Sequence, residues 1–450
     1  MKAPTKSIKK ITYLELLLLH IGIAGVVLIF RSSSKYFLLA AIVFFLIRIL
    51  SNANKNDEVL MAAGYITGFE VFSRMTGGAF SYEFAKYAVI GFLVLGMLYK
   101  GFTKKSWPYL IFLLLLVPGI LFSVMNLSFE ANVGNAIGFN LSGPVCLGIA
   151  ALYCYDRRMT MKRLQGVLLA TLLPIITTTA YLVFFTPRIQ DVVTGTQSNF
   201  EASGGYGPNQ VSTILGLGIL ILFSRLFIIK NKFINVIDLG LVALIGYRAF
   251  ITFSRGGVLV AVLCSIAFIG IYFLKSNIKE KALLMPKFGL VIGVIIITWL
   301  YTSFATLGMI DKRYENQDSM GRTKDDVSTG RVDIFNDELE AFYENPITGI
   351  GVGKAKEYRF EKSGIVAASH NEISRMISEH GLFGIIALLI LIITPLVFRI
   401  NNRSNVYLFS FVIFWFLTIN HSAMRIAAPA FIYGLSLITI TREKKTPLHR

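Results

Sequence analysis

Two kinds of residue in this 450-residue chain stand where they could move a proton or hold an anion. His370 falls in SHNEISRMISEHG, Ser369 to Gly381, where Ser369 is a candidate N-cap and Ile373, Met376 and Ile377 share one face of a short helix. A helix N-terminus disfavours imidazolium, so a histidine in that first turn stays mostly neutral near pH 7 and can accept a proton. The competing reading is a solvent-exposed helix-start histidine without chemistry. Arg248 and Arg255 flank the turn in YRAFITFSRGG, and Gly256 and Gly257 give the backbone room to approach a ligand as the next helix begins. That is a corner suited to phosphate. Arg74, Arg331, Arg375 and Arg425 are further arginines on or near the same face. Each can bind an anion, snorkel to headgroups or pair with a nearby acid.

Other signals point away from chemistry. His380 and His421 read as interfacial residues, and no HExxH or comparable spacing suggests a metal site. Cys146, Cys154 and Cys264 lie in or beside apolar segments and read as packing residues. GIGVG, Gly349 to Gly353, lacks the preceding strand and following helix of a dinucleotide fingerprint and reads as a tight turn. Asn209 and Gln210 open a membrane span, where they cap the helix or line a cavity.

The elements that must position these residues are membrane helices. Hydrophobic residues make up 54% of the chain and charged residues 16%, with a mean hydropathy of +0.64, and apolar runs recur from Tyr13 to Thr441. The net charge of +18 is dispersed in short clusters between those runs, so it is not the continuous basic face that nucleic acid requires. The first run, after Lys2, Lys6, Lys9 and Lys10, is too long for a signal peptide and reads as a retained helix. The expected fold class is an all-α polytopic membrane protein with about 12 to 14 transmembrane helices. Of about fourteen runs, those near 36 to 50 and 58 to 73 are the weakest, and the last lies near 424 to 441.

Charge then sets the orientation. With the N-terminus inside, alternate connections carry clusters such as Lys100, Lys104 and Lys105, or Arg157, Arg158, Lys162 and Arg163, while the opposite connection from Asn126 to Ala131 has no Lys or Arg. Two outer connections are long: the polar, Gly/Ser-rich stretch from Thr186 to Gly205, and Met309 to His380. The chain divides as residues 1–308, a helix bundle; 309–380, an outer loop with amphipathic helices; and 381–450, C-terminal membrane helices. Within the loop, Lys312 to Val327 is charged and nearly free of aliphatic residues, so it reads as mobile. TGRVDIFNDELEAFYENP follows, with Thr329 as a cap, Ile334, Phe335, Leu339 and Phe342 on one face and Pro346 as a stop. Gly381 ends or kinks the helix that starts near His370.

The order of these features resembles the O-antigen ligase and O-antigen polymerase superfamily of bacterial envelope glycosyltransferases. The resemblance rests on SRGG (Ser254 to Gly257), TGR (Thr329 to Arg331), NPITGIGVG (Asn345 to Gly353) and SHNEISRMISEHGLFG (Ser369 to Gly384). It covers residues 245–390, with YEFAKY, Tyr82 to Tyr87, as a lesser point. It implies a GT-C-like arrangement of helices in the bacterial inner membrane, both termini cytoplasmic and the large loop periplasmic. It also implies a glycan donor on undecaprenyl diphosphate, a lipid A core sugar or other glycan as acceptor, inversion at the anomeric centre, and no metal or other cofactor. His370 matches the family's proposed base, and Arg255 and Arg331 match arginines that bind the donor diphosphate. Arg248 and Arg74 join them as candidate diphosphate ligands, with Glu379 and Arg375 as supporting residues.

The candidate residues are consistent with that chemistry. A diphosphate already leaves well, so an enzyme needs to neutralise its charge, position the acceptor and remove one proton. Ligase, polymerase and protein O-oligosaccharyltransferase share the donor and differ in acceptor; the compact outer loop with one His motif favours a ligase. A lipid-linked oligosaccharide flippase is the alternative from another class, but no internal repeat of the transporter kind is evident.

Overall fold

The computed structural model describes residues 12–128, 132–186, 188–324, 330–364, 367 and 369–441. Within them the protein is helical, with one short parallel ribbon in which Arg158–Thr160 pairs with Thr439–Thr441. Among the described residues nine helices are long and apolar enough to cross a bilayer, from Ser33–Asn52 to Glu372–Ile400, with the shorter apolar helices Tyr13–Ile29 and Leu408–Ser422 beside them. The chain is a multi-pass membrane protein. Lipid-type surface is plain on Ile278–Ala305, which exposes Ile292, Ile295, Ile296 and Leu300.

The weak apolar signal near residue 58 has a physical cause. Glu58–Met75 is buried among other helices over nearly all its length and carries Glu70 and Arg74 inward, so it needs no lipid-facing stripe. A Cβ on Gly68 would sit 2.2 Å from the Thr171 carbonyl oxygen, and Gly64 also meets Thr171. This small-residue spacing lets Glu58–Met75 seat closely against Met161–Phe185. The last apolar run departs from expectation. It forms only the short helix Ala428–Ser436, buried inside the bundle, before turning into the ribbon strand.

One end of the bundle carries the segment that begins at Met309. The mobility expected of Lys312 to Val327 does not hold for its described part. Met309–Tyr314 is a helix whose Ile310 is fully buried in a cluster with Ile251 and Phe253, and Gln317 bridges Thr323. Residues 325–329, including the expected cap Thr329, lie outside the described residues; the helix Arg331–Glu344 starts from Gly330.

The GIGVG turn and the expected break at Gly381 form one device. Gly381 has φ 57 and ψ −135, which interrupts Glu372–Asn401. The carbonyls of Ser378 and Glu379 accept instead from the Ile350 and Gly351 amides, at 2.9 and 3.1 Å, and the Leu382 amide donates to the Pro346 carbonyl at 2.8 Å. A loop thus satisfies backbone groups that a broken helix would leave bare in an apolar setting. Only glycine fits at 349, where φ is 70 and a Cβ would lie 2.4 Å from the Glu379 carbonyl carbon.

Candidate active site

Arg255 is the first residue of the helix Arg255–Lys275. The Ser254 hydroxyl does not cap that helix; it donates to Asn209 Oδ1 at 2.8 Å. Gln210 accepts from Arg74 and Tyr206, so these two polar residues cross-link elements and cap nothing. Gly256 and Gly257 also have a use other than the one expected. A Cβ on Gly257 would lie 2.3 Å from the Ser212 backbone and one on Gly256 2.5 Å from the His421 ring, so the glycines admit a neighbouring helix and a histidine, not a ligand. Just ahead of them, Phe253 is held at φ 55, in the left-handed region that costs a bulky residue about 1 to 3 kcal/mol.

Three guanidiniums gather here. Arg255 donates to Asn316 Oδ1, and Arg313 donates through Nε to the Phe253 carbonyl at 3.1 Å. Arg331 opens the helix Arg331–Glu344. Burial, and then Arg255, pull the Arg331 guanidinium below the usual arginine range; burial, Arg255 and Arg331 do the same to Arg313. An arginine side chain carries its charge in proteins, so the three form a knot of like charge. Among the described residues none of the three has a carboxylate in ion-pair contact. Sequence reasoning missed Arg313, which sat in the stretch read as mobile.

His370 stands one residue further out than expected. The N-cap of Glu372–Asn401 is Asn371, whose Oδ1 accepts from the Ile373 amide at 2.8 Å, so His370 precedes the cap and lies outside the first turn. The helix field therefore acts on it less than the sequence suggested. The Ser369 hydroxyl, the expected cap, donates to Glu338 at 3.3 Å. Backbone contacts fix the histidine on both sides: the Ala423 amide donates to the His370 carbonyl at 3.0 Å and Arg425 to the Ser369 carbonyl at 2.6 Å. Ala423, at φ 51, is a second strained residue bordering the site. Beneath, the buried Glu338 carboxylate gathers Arg359, Ser369 and Ser374, tying Arg331–Glu344 to the His370 segment. Burial raises the Glu338 pKa, and the two serines and Arg359 oppose it.

The remaining residues are committed to protein partners. Arg375 is buried between Glu372 and Glu379, bonding Glu379 at 2.7 Å and the Asn140 carbonyl at 2.9 Å, while Glu379 also accepts from the Gly353 amide at 2.9 Å. The pair thus locks the GIGVG turn beside the His370 helix. Arg74 pairs with Glu70 at 2.5 Å, donates to the Arg425 carbonyl and lies 4.0 Å over the Tyr82 ring. Arg248, 1% exposed, donates to Thr186 and to the Ala202 carbonyl, stapling the ends of the loop between them. The structure thus gathers Arg255 and Arg331 and sets Arg248 apart. His380 and His421 are not interfacial. His380 is fully buried against Gly119, and His421 packs on Gly256 with its Nε2 3.2 Å from the Thr213 hydroxyl.

His421 links the two halves of the site, because its ring lies on Gly256 beside Arg255 and its helix ends at Ala423, which holds His370. A histidine and an arginine knot therefore share one end of the bundle. Residues 240–389 match the family model described as O-antigen ligase, a span that includes Arg255, Arg313, Arg331, His370, Arg375 and Glu379 and leaves out Arg74. No curated protein matches the chain. Lipid-linked glycans are the substrates that this family implies. Residues 240–389 thus match the O-antigen ligase family, an enzyme family, within a protein whose helices make it a multi-pass membrane protein.

Proposed function

We propose that the protein is a glycosyltransferase of the O-antigen ligase type, moving a glycan from undecaprenyl diphosphate to a hydroxyl of a lipid A core sugar at the periplasmic face of the inner membrane. The observation that carries this is the knot of Arg255, Arg313 and Arg331, three cations with no carboxylate partner among the described residues, on the same end of the bundle as His370. Uncompensated guanidiniums, Arg255 and Arg313 part-buried and Arg331 at the exposed edge, fit an anionic group that arrives with the substrate. Arg255 and Arg331 grip the donor diphosphate and offset the charge that grows as it leaves. His370 takes the proton of the acceptor hydroxyl as oxygen attacks the anomeric carbon. Direct attack inverts that carbon, and the guanidiniums supply the charge neutralisation that a metal would otherwise provide. Glu338, Arg375 and Glu379 position the histidine segment.

The test is transfer by full-length protein purified in detergent, given the lipid-linked donor and candidate acceptors. Glycan should pass to the acceptor with no membrane compartment present; a flippase would produce nothing. A deletion strain separates the family's activities. Loss of all polymer from lipid A identifies a ligase, and a core carrying a single repeat unit identifies a polymerase.

A further inference from the structure

We propose that a cavity of about 410 Å³ beside the arginine knot is a carbohydrate subsite, built between the residue 194–201 loop and the residue 318–324 turn. It rests on the glycan-transfer reading above only for the identity of the sugars. Its size is that of a ligand pocket, not of a gap between side chains. Its position follows from the chain: the turn that forms one wall begins at Asn316, which holds Arg255. Lys324, in that wall, is pulled below the ordinary lysine range by burial and by nearby Arg313 and Arg255, so the cavity opens within the field of the knot.

Its side chains fall into two groups. One builds the walls. Thr196 donates to the Gln317 carbonyl at 2.8 Å and accepts from Lys324 at 2.8 Å, bridging the two segments. Asn199 donates to the Val192 carbonyl and accepts from the Ala202 amide, holding the loop's curve, and Arg248 staples its ends from below. Asp318 is satisfied by the Met320 and Arg322 amides. The other group faces the cavity with nothing to bind. Among the described residues Thr194, Gln197, Ser198 and Glu201 have no side-chain partner. Beside them Phe200 is 60% exposed.

Fixed walls, uncommitted hydroxyl, amide and carboxylate groups, and one open aromatic ring match the needs of a sugar. Vicinal hydroxyls both donate and accept, which Gln197, Ser198 and Glu201 can answer, and the C–H face of a pyranose packs on an aromatic ring. The same chemistry suits the donor glycan next to its diphosphate and the sugars of an acceptor.

The experiment measures KM for donor and acceptor with full-length protein in detergent, for wild type, Phe200→Ala and Gln197→Ala. Both residues lie in an exposed loop and neither serves the walls. Each variant should raise one KM by about tenfold with kcat little changed, since lost contacts of this kind are worth about one decade. A raised donor KM assigns the subsite to the donor glycan, and a raised acceptor KM assigns it to the acceptor. Unchanged values of both, or a fall confined to kcat, would overturn the proposal. Should wild-type protein transfer no glycan, calorimetric titration with the oligosaccharide released by mild acid from the host's lipid-linked glycan still decides the matter. Binding to wild type that is lost in Phe200→Ala supports the subsite even then, and no binding to wild type refutes it.

Discussion

Arg375 and Arg255 lie at opposite ends of a scale that runs through this molecule. Arg375 is buried between two carboxylates, and Arg74 and Arg225 are likewise neutralised, by Glu70 and Asp238. Arg255, Arg313 and Arg331 face one another with no such partner among the described residues. A buried guanidinium with its own acid is already satisfied, and removing it leaves an acid stranded. One gathered with others of like charge is held in place at a cost, and on the proposed reading an anionic ligand supplies its complement. On the proposed reading, arginines of the first kind keep the fold and those of the second take the ligand.

The largest effect should come from the histidine that shares the unpaired side. His370→Ala should lower transfer by about 100-fold to 10,000-fold, the usual range for loss of a general base, with expression and membrane insertion as in wild type. Complementation of a deletion strain by this variant at near wild-type level would remove His370 from the mechanism. Arg375→Ala should do the reverse: the protein should lose about 3 to 5 kcal/mol of stability, because Glu379 and Glu372 are left buried and unpaired. Thermal unfolding in detergent reads this directly, and a midpoint equal to that of wild type would end the distinction between the two sets of arginines.

Part of that distinction was legible beforehand. Arg74 has Glu70 four residues away, and Arg375 has Glu372 and Glu379 at three and four, the spacings that bring side chains together on one helix face. Arg255, Arg313 and Arg331 have no acid at such spacings. The rule stops where partners come from elsewhere in the chain: Arg225 meets Asp238 and Arg359 meets Glu338 with no local sign of it. Arg313 was hidden for the same reason, since what seats it is the carbonyl of Phe253, sixty residues away. The fold followed the same division. Apolar runs disclosed the helices, but the turn that feeds the break at Gly381 depends on amides more than twenty-five residues upstream, and composition contains no trace of those bonds. SRGG shows how a motif can be found and its reason misread, for its glycines serve Ser212 and His421.

Arg255→Ala and Arg331→Ala should each slow turnover by about 10-fold to 100-fold, the scale of one or two charge-assisted hydrogen bonds to phosphate. Lysine keeps the charge but not the planar fork, so Arg→Lys at either position should fall between wild type and alanine. Both substitutions should act whichever acceptor is supplied. A variant that changes only the choice of acceptor would take that arginine off the diphosphate.

The smallest effect tests the comparison without turnover. Inorganic pyrophosphate resembles the charged part of the donor, and if it binds the knot in the folded protein, it stabilises that state by mass action. At ten times its dissociation constant the gain is about 1.4 kcal/mol. The thermal midpoint of wild-type protein should rise accordingly, by on the order of 1 to 3 °C. Arg255→Ala should unfold at or slightly above the wild-type midpoint without pyrophosphate, because one of three repelling charges is gone, and should show little or none of the rise. The same measurement on Arg375→Ala should start from a far lower midpoint and keep the rise, since that residue never faces the anion. If Arg255→Ala instead unfolds as early as Arg375→Ala, then its bond to Asn316 is holding the fold together, and Arg255 belongs with the paired arginines.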